Sequence, residues 1–299
     1  MTIEDALAQA IPLLAEAALA RGDAEATPRL DAELIASHAT GLNRASVVAH
    51  PERSLSAEEE AAFLKGVAAR ARGLPVAYVT GTREFWGLPF SVNTSVLIPK
   101  SDTETLVELA LDIISKALFT RPFGVLDVCT GSGAIACALK ASEPSLEITA
   151  TDISEDALAV ARANARALTG ALSPAIRFVR GDLREGLPPR ESSPSAERGY
   201  DLIVSNPPYV PTDLARDLLT DGRGEPLLAL DGGIDGLDLV RALADRAAPV
   251  LAAGGKILIE TGEYNAREAS EYLSKSGFTA IVIHRDLSGR DRVVEGTLR

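Results

Sequence analysis

Asn206-Pro207-Pro208-Tyr209 follows the apolar run Tyr200-Asp201-Leu202-Ile203-Val204-Ser205 and joins an amide, two prolines and an aromatic ring in one short corner. Each proline locks its own φ near −65° and lacks an N–H. Each also pushes the residue before it out of the helical region, so Asn206 and Pro207 are both held extended. Such a corner can offer the side-chain carbonyl of Asn206, the backbone carbonyl of Pro207 and the Tyr209 ring to one small planar group. An NH2 on an sp² carbon fits, whether it belongs to a carboxamide or a nucleobase. That nitrogen is a poor nucleophile because its lone pair is delocalised. Two fixed acceptors would orient it and favour pyramidalisation as a new bond forms. Positive charge develops on nitrogen along the way, so the acceptors grip the transition state more tightly than the ground state. Taken alone, the tetrapeptide reads equally well as a turn closing a strand.

A second motif names the other reactant. Asp127-Val128-Cys129-Thr130-Gly131-Ser132-Gly133-Ala134 runs from a strand into a helix. Gly131 and Gly133 allow a tight turn and a close approach of the chain to a ligand. Asp152 closes the following strand about 20 residues on, where a carboxylate can accept from a ribose diol. Glycines at this spacing suit a dinucleotide as well. Two details favour S-adenosylmethionine. A pyrophosphate gains nothing from Asp127 beside the loop, whereas a cationic amino-acid moiety does, and a dinucleotide gives no reason for the di-prolyl corner. Asp182 and Leu183, after the third strand, supply an acceptor and an apolar edge for adenine. The expected cofactor site is therefore Asp127, Cys129, Thr130, Gly131, Ser132, Gly133, Asp152, Asp182, Leu183 and Asn206, with Asn206, Pro207, Pro208 and Tyr209 handling the transfer. No metal is expected: His38, His50 and His284 lack ligand spacing. Neither a Walker lysine motif nor a Gly-x-Ser-x-Gly elbow occurs.

Strand and helix signals alternate from residue 125 onward, which specifies an α/β fold: a Rossmann-like, seven-stranded, mostly parallel sheet. Strands are expected at 125–129, 147–152, 176–182, 200–205, 256–261, 279–284 and 292–297, with helices near 133–141, 155–168, 236–252 and 266–276. The last two strands have no helix between them and should form a terminal antiparallel hairpin. Open parallel sheets bind ligands beyond the strand C-termini, and all three motifs sit there. Ahead of this catalytic domain (99–299) stand a small helical domain (1–75) and a β-hairpin linker (76–98). Pro12 should kink or split the first helix. Val76-Ala77-Tyr78-Val79 reads as the first strand of the hairpin. Residues 184–199, rich in Pro, Ser and charge, read as a mobile surface insertion.

With 299 residues, 46% hydrophobic and 24% charged, the chain has ample material for a core and one smaller domain. Its net charge of −12 argues against a large nucleic-acid footprint, which needs Lys and Arg on phosphates. Cys129 and Cys137 are too few for a disulfide framework. The acidic start lacks the basic region of a signal peptide, and no apolar run is long enough for a membrane span. A cytoplasmic monomer without nucleic-acid or membrane partners is the expectation.

The chain resembles the glutamine N5-methyltransferases of the HemK/PrmC family, which modify the Gly-Gly-Gln loop of peptide chain release factors. The likeness rests on Asp31-Ala32-Glu33-Leu34, Gly81-Thr82-Arg83-Glu84-Phe85-Trp86, Leu97-Ile98-Pro99-Lys100-Ser101-Asp102-Thr103-Glu104, the glycine loop and the di-prolyl corner. It continues through Glu225-Pro226-Leu227-Leu228-Ala229-Leu230-Asp231-Gly232-Gly233 and Arg285-Asp286-Leu287-Ser288-Gly289-Arg290-Asp291-Arg292. The resemblance implies that residues 129–133 line the cofactor, Asp152 holds its ribose, residue 183 lies beside it, and residues 206–209 hold the substrate glutamine. It also implies class 1 release factors as partners, gripped in part by the helical domain. Two departures stand out: Cys129 replaces a common glycine, and Lys100-Ser101 replaces the usual Arg-Pro. A ribosomal-protein glutamine, or less readily an exocyclic amino group of a nucleobase, is the alternative substrate.

Overall fold

The computed structural model of the chain describes all residues except 24–25, 118–121, 171, 173, 191–198 and 221–223. They fall into two units, Met1–Thr82 with Arg216–Glu225, and Arg83–Ala215 with Pro226–Arg299.

The first unit is helical. Helix α1 (Ile3–Ala20) opens on a capping box in which Thr2 and Asp5 satisfy each other's backbone N–H groups. Pro12 does not split it: the helix runs through all 18 residues. Both Pro12 and Ala8, whose carbonyl loses its partner, lie on the exposed face, where water can replace the missing bond. Helix α2 (Pro28–Thr40) has proline in its first turn and ends at Gly41 in the left-handed region. Its buried acids are paired, Asp31 with Arg70 at 2.6 Å and Glu33 with Arg44 at 2.8 Å. Helix α3 (Arg44–Ala49), capped by Asn43, was not legible in the sequence, whereas α4 (Ala57–Ala71) begins at the expected Ser56/Glu59 box. Ile3, Leu14, Ile35, Val47, Phe63 and Val67 form the core between them.

The expected strand at 76–79 is instead helix α5 (Val76–Thr80). Its β-branched residues suggest a strand, but Pro75 at the start and Gly81 at φ 72° close a single helical turn around them. The hairpin lies further on, with strands β1 (Thr82–Phe85) and β2 (Leu88–Ser91). Its two-residue turn places Trp86 at φ 55° and Gly87 at φ 67°, the signature of a type I′ turn. Trp86 is held there because its N–H donates to Glu104 Oε1 at 2.8 Å and its indole N–H to Ser142 Oγ at 3.0 Å.

The second unit then proceeds through α6 (Glu104–Lys116), β3 (Gly124–Val128), α7 (Ala134–Ser142), β4 (Glu147–Asp152), α8 (Glu155–Leu168), β5 (Arg177–Arg180) and β6 (Tyr200–Ser205). After α9 (Thr212–Thr220) come α10 (Asp238–Ala247), β7 (Leu251–Glu260), α11 (Ala266–Lys275), β8 (Phe278–Arg285) and β9 (Asp291–Leu298). Helix α10 stops well short of residue 252 because Pro249 bars its preceding residues from continuing the helix. The seven strands are ordered β5-β4-β3-β6-β7-β9-β8, parallel except for β9, which runs antiparallel to both neighbours. Every residue of β3 is buried, as expected of a strand covered on both faces. One face packs on α6, α7 and the hairpin through Leu106, Ile135, Leu139 and Phe90, the other on α10 and α11 through Val240, Leu243 and Leu273.

The expected insertion at 184–199 is anchored rather than loose at its start. Arg190 is buried, donating to Glu147 at 2.7 Å, to Asp201 at 3.3 Å and to the Pro122 carbonyl at 2.8 Å. Residues 191–198 lie outside the described residues. Among the described residues no helix is long and apolar enough to cross a membrane.

Candidate active site

Strand order reverses at β3, which has β4 on one side and β6 on the other. Val128 is level with Thr151 of β4 and with Ser205 of β6, so three strand ends open onto one crevice. Ser205 Oγ donates to the Val128 carbonyl at 2.7 Å and fixes that alignment. A cavity of about 410 Å³ occupies the crevice, within the size range of small-molecule sites. Its wall brings together Cys129, Thr130, Gly131, Ser132, Asp152, Asp182, Leu183, Asn206 and Pro208. Asp127, Gly133, Pro207 and Tyr209 are not part of that wall.

The loop after β3 is shaped by its backbone. Cys129 sits at φ 61°, Gly131 at 55° and Gly133 at 80°. A side chain at such a φ costs about 1–3 kcal/mol, a strain that Cys129 carries and a glycine there would not. Gly133 has a further reason: a Cβ there would lie 3.1 Å from that of Ala161, where α7 and α8 approach. Asn164 secures the other side, accepting from Ser91 N and donating to the carbonyls of Ser91 and Ser132. This buried asparagine was missed, because an amide within a helical pattern looks like a surface residue.

Asp152 serves two purposes. Its Oδ2 accepts from Gly131 N at 2.9 Å and its Oδ1 from Ser154 N at 2.9 Å, which locks the carboxylate in place on the cavity wall. Each oxygen keeps capacity for another donor. Burial pushes its carboxyl upward while these backbone donors pull it back. Asp182 is similarly held by Arg184 N at 2.9 Å. Asp127 is placed differently from a direct wall residue. It is fully buried beneath the loop, where Oδ2 accepts from Thr130 Oγ1 at 2.6 Å and Oδ1 has no partner among the described residues. Burial raises it to about 7.

These features fit S-adenosylmethionine. The fixed Asp152 carboxylate suits a diol, buried Leu183 offers an apolar edge, and Gly131 leaves open space where a side chain would stand. Asp127 lies beneath the loop with one carboxyl oxygen unpaired among the described residues.

The di-prolyl corner is supported from three directions. Asn206 Nδ2 donates to Thr103 Oγ1 at 3.1 Å, which leaves Oδ1 as the acceptor of an amide that borders the cavity. The Tyr209 carbonyl accepts from Asn265 Nδ2 and Tyr264 OH, both at 3.2 Å. Behind it, Gly232 lies so close that a Cβ would stand 2.6 Å from the Pro208 carbonyl oxygen. This contact accounts for Gly232, whereas Gly233 sits at φ 94° with its Cβ position against Asp238. Tyr209 OH donates to Glu260 Oε1 at 3.2 Å, and burial beside that acid drives the phenol well above its usual range. Glu260 itself is raised to about 7 by burial, against the pull of neighbouring Thr103, Arg292 and Tyr209. Arg292 completes the frame, binding Asp286 through two donors and reaching Asp102 at 3.0 Å. Thr103, Glu260 and Arg292 escaped the residue-by-residue reading, although Thr103 and Arg292 lie in segments that carry the family likeness. Glu260 carried the same signal as Asp152, an acid closing a buried strand.

The profile described as PrmC N-terminal domain matches residues 5–81, and the methyltransferase small domain matches residues 105–220. A release factor glutamine methyltransferase of Bordetella pertussis is 41% identical over 271 residues, covering 91% of this chain and 95% of the relative. That of Deinococcus radiodurans is 38% identical over 294 residues, covering 98% of each. Among solved structures, the catalytic domain of hMettl16 in complex with an RNA hairpin of the MAT2A 3′UTR shares the fold with a TM-score of 0.56 at 18% identity, over 78% of this chain and 80% of that one. Two profiles in the expected order and near-full-length identity at this level agree with the geometry of the crevice: the chain belongs to the release factor glutamine methyltransferase family.

Proposed function

We propose that this protein methylates the side-chain amide nitrogen of the glutamine in the Gly-Gly-Gln loop of class 1 peptide chain release factors, using S-adenosylmethionine. One observation carries the reading: Asn206, its amide already oriented by Thr103, borders the same cavity as Gly131 and Asp152. When bound, the cofactor supplies a methyl group on a sulfonium, ready for displacement by nitrogen.

Asp152 and Asp182 hold the ribose and adenine ends, Leu183 packs the base, and the 129–133 loop closes over the remainder. Asp127, which burial raises to about 7, would take up its charge beneath the loop when a cationic ligand lies above it. On the substrate side, Asn206 Oδ1 and the Pro207 carbonyl accept the two N–H bonds of the glutamine amide. That fixes the plane of the nitrogen and aims its lone pair along the line of attack. As the C–N bond formed and the methyl–sulfur bond broke, the nitrogen would gain the positive charge that the sulfur loses and both acceptor bonds would strengthen, the inverse of an oxyanion hole. The proton would then leave the methylated amide for solvent. Tyr209 walls the amide in, its hydroxyl tied back to Glu260. The nitrogen becomes acidic only after methylation, so no strong base is needed beforehand. The helical domain (1–75) contributes to holding the protein substrate, the hairpin joins it to the catalytic domain (99–299), and the protein works as a cytoplasmic monomer.

The test offers labelled cofactor to purified release factor, ribosomal protein, DNA and RNA in parallel. Label on the release-factor glutamine alone is the expected result. Label confined to ribosomal protein or to nucleic acid would overturn the substrate assignment.

A further inference from the structure

Thr103 occupies the N-cap position of α6, where a threonine ordinarily turns its oxygen onto a backbone N–H of the first turn. Here it does not: its backbone is helical, at φ −66° and ψ −19°, and the side chain makes no capping bond. The preceding 3₁₀ turn, Ser101–Thr103, runs straight into the helix and removes the need for a cap. The hydroxyl is 4% exposed with its residue, borders the cavity, and meets Asn206 Nδ2 at 3.1 Å. Its ordinary structural duty is absent, and what remains is a hydroxyl set between the Asn206 amide, from which it accepts, and the Glu260 carboxylate, to which it donates.

The turn carrying Thr103 is pinned from the far end of the chain. Arg292 reaches Asp102 at 3.0 Å while holding Asp286 at 3.0 and 3.1 Å, and its third nitrogen donates to the Thr261 carbonyl. Thr261 N in turn donates to the Arg292 carbonyl at 2.9 Å. The turn is thereby fixed to the ends of β7 and β9. A threonine side chain is also stiff about χ1, so the oxygen stays in place.

An asparagine amide has two nearly isosteric ends. Only one orientation offers an acceptor to a substrate NH2; the other sets donor against donor. We propose that Thr103 is a positioning residue for methyl transfer: with its proton given to Glu260, its oxygen can only accept from Asn206 Nδ2, which selects the orientation that turns Oδ1 to the substrate nitrogen. The inference rests on the amide methylation proposed above and adds a residue through which Asn206 acts.

Thr103→Val keeps the shape and removes the hydroxyl; Thr103→Ser restores it; Thr103→Ala serves as a second deletion where valine impairs folding. Methyl transfer to release factor, cofactor Kd and thermal midpoint are measured for each. Valine and alanine should lower kcat by ~100-fold, with cofactor Kd and substrate KM within a few-fold of the parent, and serine should recover most of the loss. In an Asn206→Ala background the valine change should cost almost nothing further, because the amide it orients is gone. A merely structural threonine would instead lower kcat equally in both backgrounds. Full kcat in the valine or alanine variant, or an undiminished loss in the Asn206→Ala background, would overturn the proposal. Failure of the parent protein to methylate release factor would instead fall on the proposed function.

Discussion

Gly131 donates its amide to Oδ2 of Asp152 across 2.9 Å, so the loop after one strand is fastened to the carboxylate that ends the next. The glycine loop and the carboxylate proposed to hold the ribose are therefore one assembly. Asp152→Ala removes the proposed ribose acceptor and frees two backbone donors, those of Gly131 and Ser154. Charge-assisted bonds of this kind are each worth ~1.5–3 kcal/mol. The S-adenosylmethionine Kd, measured calorimetrically, should weaken ~100-fold, with kcat at saturating cofactor changed far less. Unchanged affinity would place the ribose elsewhere.

Gly232 tests the substrate side without touching it chemically. Its Cβ position lies 2.6 Å from the Pro208 carbonyl oxygen and 2.8 Å from the Tyr209 Cα. Gly232→Ala must displace the corner, and small misplacements of positioning groups cost up to ~100-fold in rate. Turnover should fall at least tenfold while cofactor affinity, governed by the opposite wall, stays near the parent value. A fully active variant would show that the corner tolerates displacement.

Stability should fall as pH rises from the ordinary carboxylate range up to neutrality, because Glu260 and Asp127 are each raised to about 7 in the fold. A carboxyl raised above its unfolded value contributes stability that is complete below the unfolded pKa and lost as pH rises through the folded one. For Glu260 that window runs from 4.5 to about 7, a shift worth no more than about 3 kcal/mol. Glu260→Gln should flatten the urea-derived stability profile between pH 5 and 8. A variant whose stability falls as steeply as the parent's would mean that Glu260 is ionised throughout.

The sequence was most legible where local chemistry and tertiary demand coincide. Buried runs such as Val125–Val128 and caps such as Ser56/Glu59 read directly as elements, and glycine turns followed by strand-ending acids marked the crevice. Tyr200 to Tyr209 read as a strand and a di-prolyl corner, and the corner's Asn206 and Pro208 border the cavity. Val76–Val79 failed because β-branched residues outweighed the proline and glycine that bracket one helical turn. Pro12 misled because a missing bond on a wet helix face is cheap. Thr103, Glu260 and Arg292 were hidden for a different reason. Thr103 meets Asn206 across 103 residues, Glu260 meets Tyr209 across 51, and Arg292 braces Asp102 beside them; the strand-ending position of Glu260 was a local signal, but no local pattern encodes those meetings.

The central claim is that the di-prolyl corner orients the glutamine amide for methylation. Mass spectrometry of release factor after single turnover, parent against Asn206→Ala with cofactor bound to equal saturation, tests it most directly. The account predicts one added methyl on the Gly-Gly-Gln glutamine, formed ~100-fold or more slowly by the variant. Equal rates for the two proteins, or a methyl on any other residue, would contradict it.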